Sequence, residues 1–519
     1  MIGLDDWQLR APRLQLAVAL TLIVVSILSL AALLPSMMLA PAILLLSAGL
    51  LLALRDWRWS MYGLLLYIPL SGLPIIAFYP TDQLAVLVKD LLFILPTYAA
   101  FALTSPVRRW VFPGAPATAM ALFAILVIAD VFNPHQHSLL GSLIGLKVWL
   151  LYLPLLILGY HLVDSRRRLT LVLALIAIPA AVPAAIAVVE AVFLYTGYGD
   201  IVHSLYGQAA SPAFQNFTVF EFSPGVYLPR VPSVFSFVSQ YFDYTYSALA
   251  AAYAWWRLTN HRLGIPLMAL LILGLAVSGG RSVLFILPAL AFVAGVFEGN
   301  FKRAAGIWAA MAAIGLGALF AVSRGHLYGL VALMFGAGNQ DITFEFVSRV
   351  QDVLSGDLFG MGTGSGTGAA RYALGSSVEP IATHANTESW WIKLIYELGP
   401  VGLLLMLLMV GRPLWRATAL NFRVLSGPLR SVSAGFIAFL LVTLFFSAKA
   451  SVIDLDPINV YFWLFLGILM AVPKIDLVAS ARPTPELTRP NDGSDQLIGS
   501  SILSRHAERR DHLHNGASA

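Results

Sequence analysis

"SRRRLTLVLALIAIPAAVPAAIAVVEAVFLY", residues 165–195, decides the fold. Three arginines precede an apolar run longer than the ~20 residues a helix needs to cross a ~30 Å hydrocarbon core. A run of that length behind a basic flank reads as a membrane span with its basic end in the cytoplasm. Working outward, comparable runs lie at about 14–34, 37–54, 61–79, 84–103, 116–133 and 139–160 before it. After it come about 234–256, 264–279, 282–297, 304–323, 390–411, 431–447 and 457–473. Hydrophobic residues make up 59% of the chain and charged residues only 11%, which leaves little sequence for a water-soluble domain. The expected fold is all-α: a polytopic transmembrane helical bundle of about 12–14 spans. The first run exceeds a signal-peptide core and is followed by Pro35-Ser36 rather than a small-residue cleavage site, so it reads as a retained span. The absence of cysteine excludes disulfides and thiolate metal sites.

The arginine and lysine clusters test this alternation, because short cytoplasmic connections are enriched in both residues. With the N-terminus inside, Arg55 and Arg58, Arg108 and Arg109, Arg166 to Arg168, Arg257 and Arg262, Lys302 and Arg303, and Arg412 and Arg416 all fall on the cytoplasmic side. The membrane domain is expected over 1–473, followed at 474–519 by a polar, disordered cytoplasmic tail. Both termini are then cytoplasmic. His506, His512 and His514 in that tail have no preformed geometry for a metal.

Two long connections, about 196–232 and 324–389, fall outside. Both exceed the roughly 2–8 residues usual between bundled helices, and such loops are commonly functional. The second is expected to be partly helical. In "DITFEFVSRVQDVL" (341–354), Phe346, Val347, Val350, Val353 and Leu354 are spaced like the apolar face of a helix lying in the membrane interface.

The residues able to carry chemistry gather at this outer side. "GMGTGSGTG" (360–368) lacks the Gly-Lys-Ser/Thr ending of a P-loop and lies where ATP is absent, so nucleotide binding is rejected. A flexible connector and a wall of a lipid-diphosphate pocket both remain open for it. "SGGRS" (278–282) puts Arg281 at the outer interface, where charge bias disfavours arginine and a phosphate-gripping guanidinium fits better than a snorkelling anchor. Arg349 and Arg371 add outer positive charge, and Lys147 sits about a turn and a half inside its span. Lys89 and Asp90 read as a pair or as snorkelling residues, and Lys393 and Glu397, four apart, as an ion pair on one helix face. In "THANTESWWIKLIYELGPVG" (383–402), His384 beside Asn386 and Glu388 becomes a candidate base, with an unperturbed pKa near ~6.5.

The order "SGGRS", "SRVQDVLSGDLFGMGTGSG" (348–366) and "THANTESWWIKLIYELGPVG" resembles the signature of the O-antigen ligase and O-antigen polymerase superfamily of bacterial membrane glycosyltransferases. The resemblance covers about 270–410. It departs from the family pattern where Ala385 separates His384 from Asn386 and where Gly279 and Gly280 precede Arg281. It implies transfer of a glycan from an undecaprenyl-diphosphate carrier to a sugar hydroxyl at the extracytoplasmic face of a bacterial inner membrane, without cofactor or metal. On that pattern Arg281 and Arg349 stabilise the departing diphosphate and His384 acts as the base or positions the acceptor. Asn386 and Glu388 belong to the substrate site, and topology adds Lys147 and Arg371. Expected partners are the lipid-linked oligosaccharide, the growing glycan or another sugar acceptor, membrane lipids, and export or chain-length-control proteins, with no nucleic acid. Polymerisation of exopolysaccharide or O-antigen repeats is favoured; a ligase and a lipid-linked-sugar flippase are the alternatives.

Overall fold

A computed structural model describes residues 47, 49–79, 82–106, 115–135, 138–210, 219–223, 226–280, 282–322, 358–367, 389–423 and 427–480. The chain divides into two compact units, Met1–Asp476 and Leu477–Ala519. The first is an all-α, polytopic helical bundle. Among the described residues six helices are long and apolar enough to cross a membrane, and a seventh span forms if one bent pair counts as one.

The opening stretch supplies α7 (Arg166–Ala177) and α8 (Ala181–Tyr195) of this bundle. Ser165 caps α7 by accepting the Arg168 amide, and Pro179 breaks the ladder between the two helices. Ahead of them stand α1 (Trp57–Tyr67), α2 (Gly72–Phe78), α3 (Leu95–Thr104), α4 (Ala115–Ala129), α5 (Leu139–Leu150) and α6 (Leu155–Leu162). After them come α9 (Gly199–Tyr206), α10 (Val238–Thr259), α11 (Gly264–Val277), α12 (Val283–Phe297) and α13 (Phe301–Val322). The last described are α14 (Trp390–Met406), α15 (Arg412–Arg423), α16 (Gly427–Phe446) and α17 (Ile458–Ser480).

Three features differ from the sequence reading. The span expected at 61–79 bends by 55° between α1 and α2. Pro69 interrupts the ladder, and the bend brings Gly72 so close to Val234 and Phe235 that a Cβ would fall on their backbone. The span expected to end at 411 continues through a π-turn, Leu407–Gly411, into α15, and the altered winding just ahead of Pro413 accommodates its missing amide. Within the first long loop, α9 is followed by a hairpin of β1 (Val219–Ser223) and β2 (Val226–Pro229), paired Val219↔Pro229 and Phe220↔Leu228. The buried Glu190 carboxylate on α8 ties this loop down by accepting from Tyr206 Oη and the Ser233 amide, each at 3.0 Å.

The core is built around α10, α16 and α17, whose Tyr244, Phe436, Phe439, Tyr461 and Phe465 are inaccessible. Lipid tails are as apolar as leucine, so close backbone approach through small residues replaces hydrophobic burial as the packing device. Gly159 on α6 and Gly467 on α17 face each other's helix so closely that a Cβ on either would land on a backbone carbonyl, Leu464 or Leu156.

End contacts sort into two sets that do not mix. At one end Arg58 meets His161 and Asp164, Arg166 meets the Leu258 carbonyl, Arg257 meets Glu298, and Asn421 and Arg430 meet the Phe297 carbonyl. At the other end Lys89 meets Asp456, Asn133 meets Gly360, Trp390 meets Ser447, and Val231 meets Ser278. These contacts fix how the helices alternate between a basic end and a lysine–aspartate end.

Candidate functional site

The lysine–aspartate end is organised by α14. Gly399 has φ of +65° and is followed by Pro400. Pro400 has no amide for the Tyr396 carbonyl, and the Val401 amide turns to Leu358 at 3.5 Å, which releases the carbonyls of Tyr396 and Glu397. Met361 and Gly362 donate to them at 2.8 and 3.0 Å. A Cβ on Gly399 would strike the Leu358 carbonyl, so the glycine is required by this approach as well as by its φ.

The side chain of Glu397, fully inaccessible, completes the dock. One oxygen accepts from Trp149 Nε1 at 2.6 Å and the Gly364 amide at 3.0 Å. The other accepts from the Gly366 amide at 2.9 Å and Thr367 Oγ1 at 2.8 Å. The end of α4 takes the remaining edge, with Thr363 donating its amide to Asp130 O and its hydroxyl to Val127 O. Ser365 and Thr367 donate to Gly362 and Gly364 within the turn. Every amide from Met361 to Thr367 is therefore engaged inside the protein. The glycine stretch is neither a flexible connector nor a cradle of free amides for phosphate; among the described residues 358–367 it is a packed plug. Gly360, Gly362 and Gly364, with φ of +74°, +96° and +90°, supply the winding.

Lys393 does not pair with Glu397. Its Nζ lies 2.6 Å from Asp454 Oδ2 and 4.4 Å from the centre of the Trp149 ring, while Trp390 Nε1 donates to Asp454 Oδ1 at 3.0 Å. The expected i,i+4 pair is replaced because the glycine plug fills the space around the Glu397 carboxylate. Burial pushes the Asp454 carboxyl above its usual range, with the Lys393 ammonium pulling the other way.

A second network lies beside the first. Lys89 Nζ is 3.0 Å from Asp90, 2.8 Å from Asp456 and 2.7 Å from Tyr152 Oη. Lys147 Nζ is 2.8 Å from the other oxygen of Asp90. Lys89 and Asp90 thus form the pair that the sequence allows, and a snorkelling role is ruled out by their burial at about 3% exposure. Lys147 keeps 29% of its side chain exposed, so it reaches a substrate only in competition with Asp90. Asp454 and Asp456 share one short connection between α16 and α17, and the alternation of "DLDP" sends one carboxylate to each lysine network. That connection drew no attention in the sequence, although two acids between adjacent spans was the available signal. Asp130 was also missed: its Oδ2 is buried beside the plug and has no hydrogen-bond partner among the described residues.

Arg281, Arg349, Arg371, His384, Asn386 and Glu388 lie outside the described residues, as do the interfacial helix expected over 341–354 and the histidines of the tail. What precedes Arg281 is a tight turn: Ser278 is inaccessible, donates to Leu275 O, accepts the Gly280 amide, and is followed by Gly279 with φ of +71°. The plug ends at Thr367 on the Glu397 carboxylate, and α14 resumes at Ser389, held to Ser447 O at 3.4 Å. Ser389 and Glu397 are eight residues apart on one helix, about 12 Å along its axis. Both flanks of 368–388 are thereby tied to the same two turns of α14. Among the described residues no group of three or more metal-ligating side chains comes together. No family model, curated protein or solved structure matches the chain.

Proposed function

We propose that the chain transfers a glycan from an undecaprenyl-diphosphate carrier to a sugar hydroxyl at the extracytoplasmic face of a bacterial cytoplasmic membrane, polymerising exopolysaccharide or O-antigen repeats. One observation carries the reading. The glycine stretch and the Glu397-to-Gly402 helix start, two elements of the ordered motif series, dock on each other; one flank of the segment bearing His384 ends on that dock, and the other, Ser389, caps the helix that carries it and is held to Ser447. A connector with no task has no need of a buried carboxylate holding its neighbour in place. Charge supports this sidedness: Arg58, Arg166, Arg257 and Arg430 gather at one end, the cytoplasmic one under the positive-inside rule. The dock is at the other.

In the reaction the acceptor hydroxyl attacks the anomeric carbon, its proton passes to His384, and the bond from that carbon to the diphosphate oxygen breaks. Undecaprenyl diphosphate leaves with the bonding electrons. Arg281 and Arg349 stabilise the growing charge on the leaving group through paired N–H donors in a low-dielectric setting. The test is the glycan-lipid profile of a deletion strain. Single repeats accumulating on the carrier at the outer face are the expected result. Finished chains stranded on the carrier make the protein a ligase, and repeats held at the cytoplasmic face make it a flippase.

A further inference from the structure

A cavity lies at the basic end, away from this site. Five helices form a horseshoe in the order α11, α10, α16, α12, α13, each packed along the next. α11, whose other side packs on α8, and α13 are the two ends of the horseshoe, and the space they enclose has a volume of about 330 Å³. That lies in the ~300–1000 Å³ range of ligand pockets. Its walls are apolar, with Met268 and Ile272 on α11, Leu287 and Ala291 on α12, and Ile307 and Met311 on α13. The arms leave a lateral opening, where Ile272 and Ile307 are 38% and 43% exposed. In a membrane the medium on that side is hydrocarbon. An apolar void forfeits dispersion contacts along its lining, and a hydrocarbon chain entering from the side restores them without desolvating any polar group.

The rim is charged. Arg257 donates through Nε to Glu298 Oε1 at 3.0 Å and Ser431 Oγ at 3.1 Å. With Nε so engaged, the guanidinium still carries its two terminal nitrogens, and 38% of the side chain is exposed. That is the half of a guanidinium that grips two phosphate oxygens in parallel. Arg430 reaches the same rim, close enough to Gly299 that a Cβ there would lie 3.0 Å from Nη2. The Glu298 carboxylate oxygen that meets Arg257 also accepts from Tyr253 Oη at 2.5 Å, so the acid is already engaged. Arg257 and Arg430 against Glu298 leave the rim positive.

We infer that this cavity is a binding site for one anionic phospholipid of the leaflet at the basic end, with an acyl chain between α11 and α13 and its phosphate on Arg257. The position of the cations selects a phospholipid over the polyprenyl carrier, because they hold the occupant's phosphate at this end. That choice of occupant rests on the proposed reaction, which puts the carrier's diphosphate at the other end.

The experiment uses the full-length chain, equilibrated in mild detergent with equal amounts of phosphatidylglycerol and phosphatidylcholine, and native mass spectrometry of the lipid retained. The expected result is one phosphatidylglycerol per chain, preferred by about tenfold, with occupancy falling about tenfold in Ala291→Phe, which fills the cavity from its wall. Arg257→Gln should keep lipid but lose the preference. Since Arg257→Gln also removes a contact to Glu298, Ile272→Phe on the opposite arm gives a second block that leaves the rim intact. Unchanged occupancy in both cavity-filling variants, no preference between the two phospholipids, or selective retention of an added polyprenyl phosphate would each overturn the assignment.

Discussion

Replacing Glu397 by glutamine tests the plug directly. The carboxylate faces four donors, and an amide offers only one oxygen. In its better orientation the new NH2 faces Gly366 and Thr367. The threonine hydroxyl can turn and accept, but the Gly366 amide is left opposite another donor. One bond to a charged acceptor is lost outright, roughly 1.5–3 kcal/mol, and the other three weaken from charged to neutral, about 1 kcal/mol each. The plug is then about 5 kcal/mol less firmly held, close to the lower end of whole-domain stability at ~5–15 kcal/mol. Hydrogen exchange in detergent reads this locally: amides at 361–367 should exchange more than about a thousandfold faster, each tenfold being ~1.4 kcal/mol. A double-mutant cycle locates the cause. Glu397→Gln with Trp149→Phe should show coupling above ~1 kcal/mol, whereas Glu397→Gln with Lys393→Met should be additive to within ~0.5 kcal/mol. Unaltered exchange across the plug, or strong coupling to Lys393 alone, refutes the dock and restores the simple helix-face ion pair.

Three further outcomes are expected. His384→Ala should lower chain elongation from purified lipid-linked repeats by roughly 100- to 10,000-fold while donor binding is retained; elongation at the parental rate removes the base assignment. Arg281→Lys should impair elongation nearly as much as Arg281→Ala, since an ammonium keeps the charge without the two-pronged geometry, and full activity in the lysine variant leaves only a point-charge role. Lys89→Met takes the lysine from Asp456 and leaves Asp90 to Lys147 alone, and should cost about 3–5 kcal/mol, seen as loss of monodisperse protein on thermal ramping in detergent; a variant as stable as the parent shows that Lys89 contributes nothing.

The hydrophobic runs made the bundle legible, because lipid leaves the backbone few ways to satisfy itself and a long apolar helix is the simplest. Bends were not legible. Proline alone does not say whether a span breaks; the 55° turn at α1 and α2 also needs the close approach of Gly72 to Phe235, 163 positions away in the chain. Partners were legible only as candidates. Lys393 and Glu397 have the spacing of an ion pair, yet helix spacing counts only neighbours on one face, and the competing donors come from Trp149 and from the glycine plug. The glycines could have suggested this. Three left-handed turns in alternation suit a stretch that must press its backbone against other backbones, such as Gly364 against Gly141 and Gly145, more than a tether that only needs to bend.

The pairing at the lysine–aspartate end also constrains which residues can meet a diphosphate. Lys89, Lys147 and Lys393 each hold an aspartate at 3.0 Å or less, and together with Asp90, Asp454, Asp456 and Glu397 they make three cations against four anions. A site of that balance repels a second anion unless other cations contribute. Arg281, Arg349 and Arg371 are the cations the motif series offers, and arginine suits the task because it stays charged where a desolvated lysine readily gives up its proton. The lysines are then best understood as fasteners. Lys89 and Lys393 bind the Asp454–Asp456 connection to two different helices, α14 takes the plug through Glu397, and the ends of the spans become rigid on both flanks of the segment that carries His384. On the proposed reaction, a base that must meet an incoming hydroxyl within about 3 Å needs such a frame, since a misplacement of about 1 Å far from the chemistry is enough to cost on the order of a hundredfold in rate.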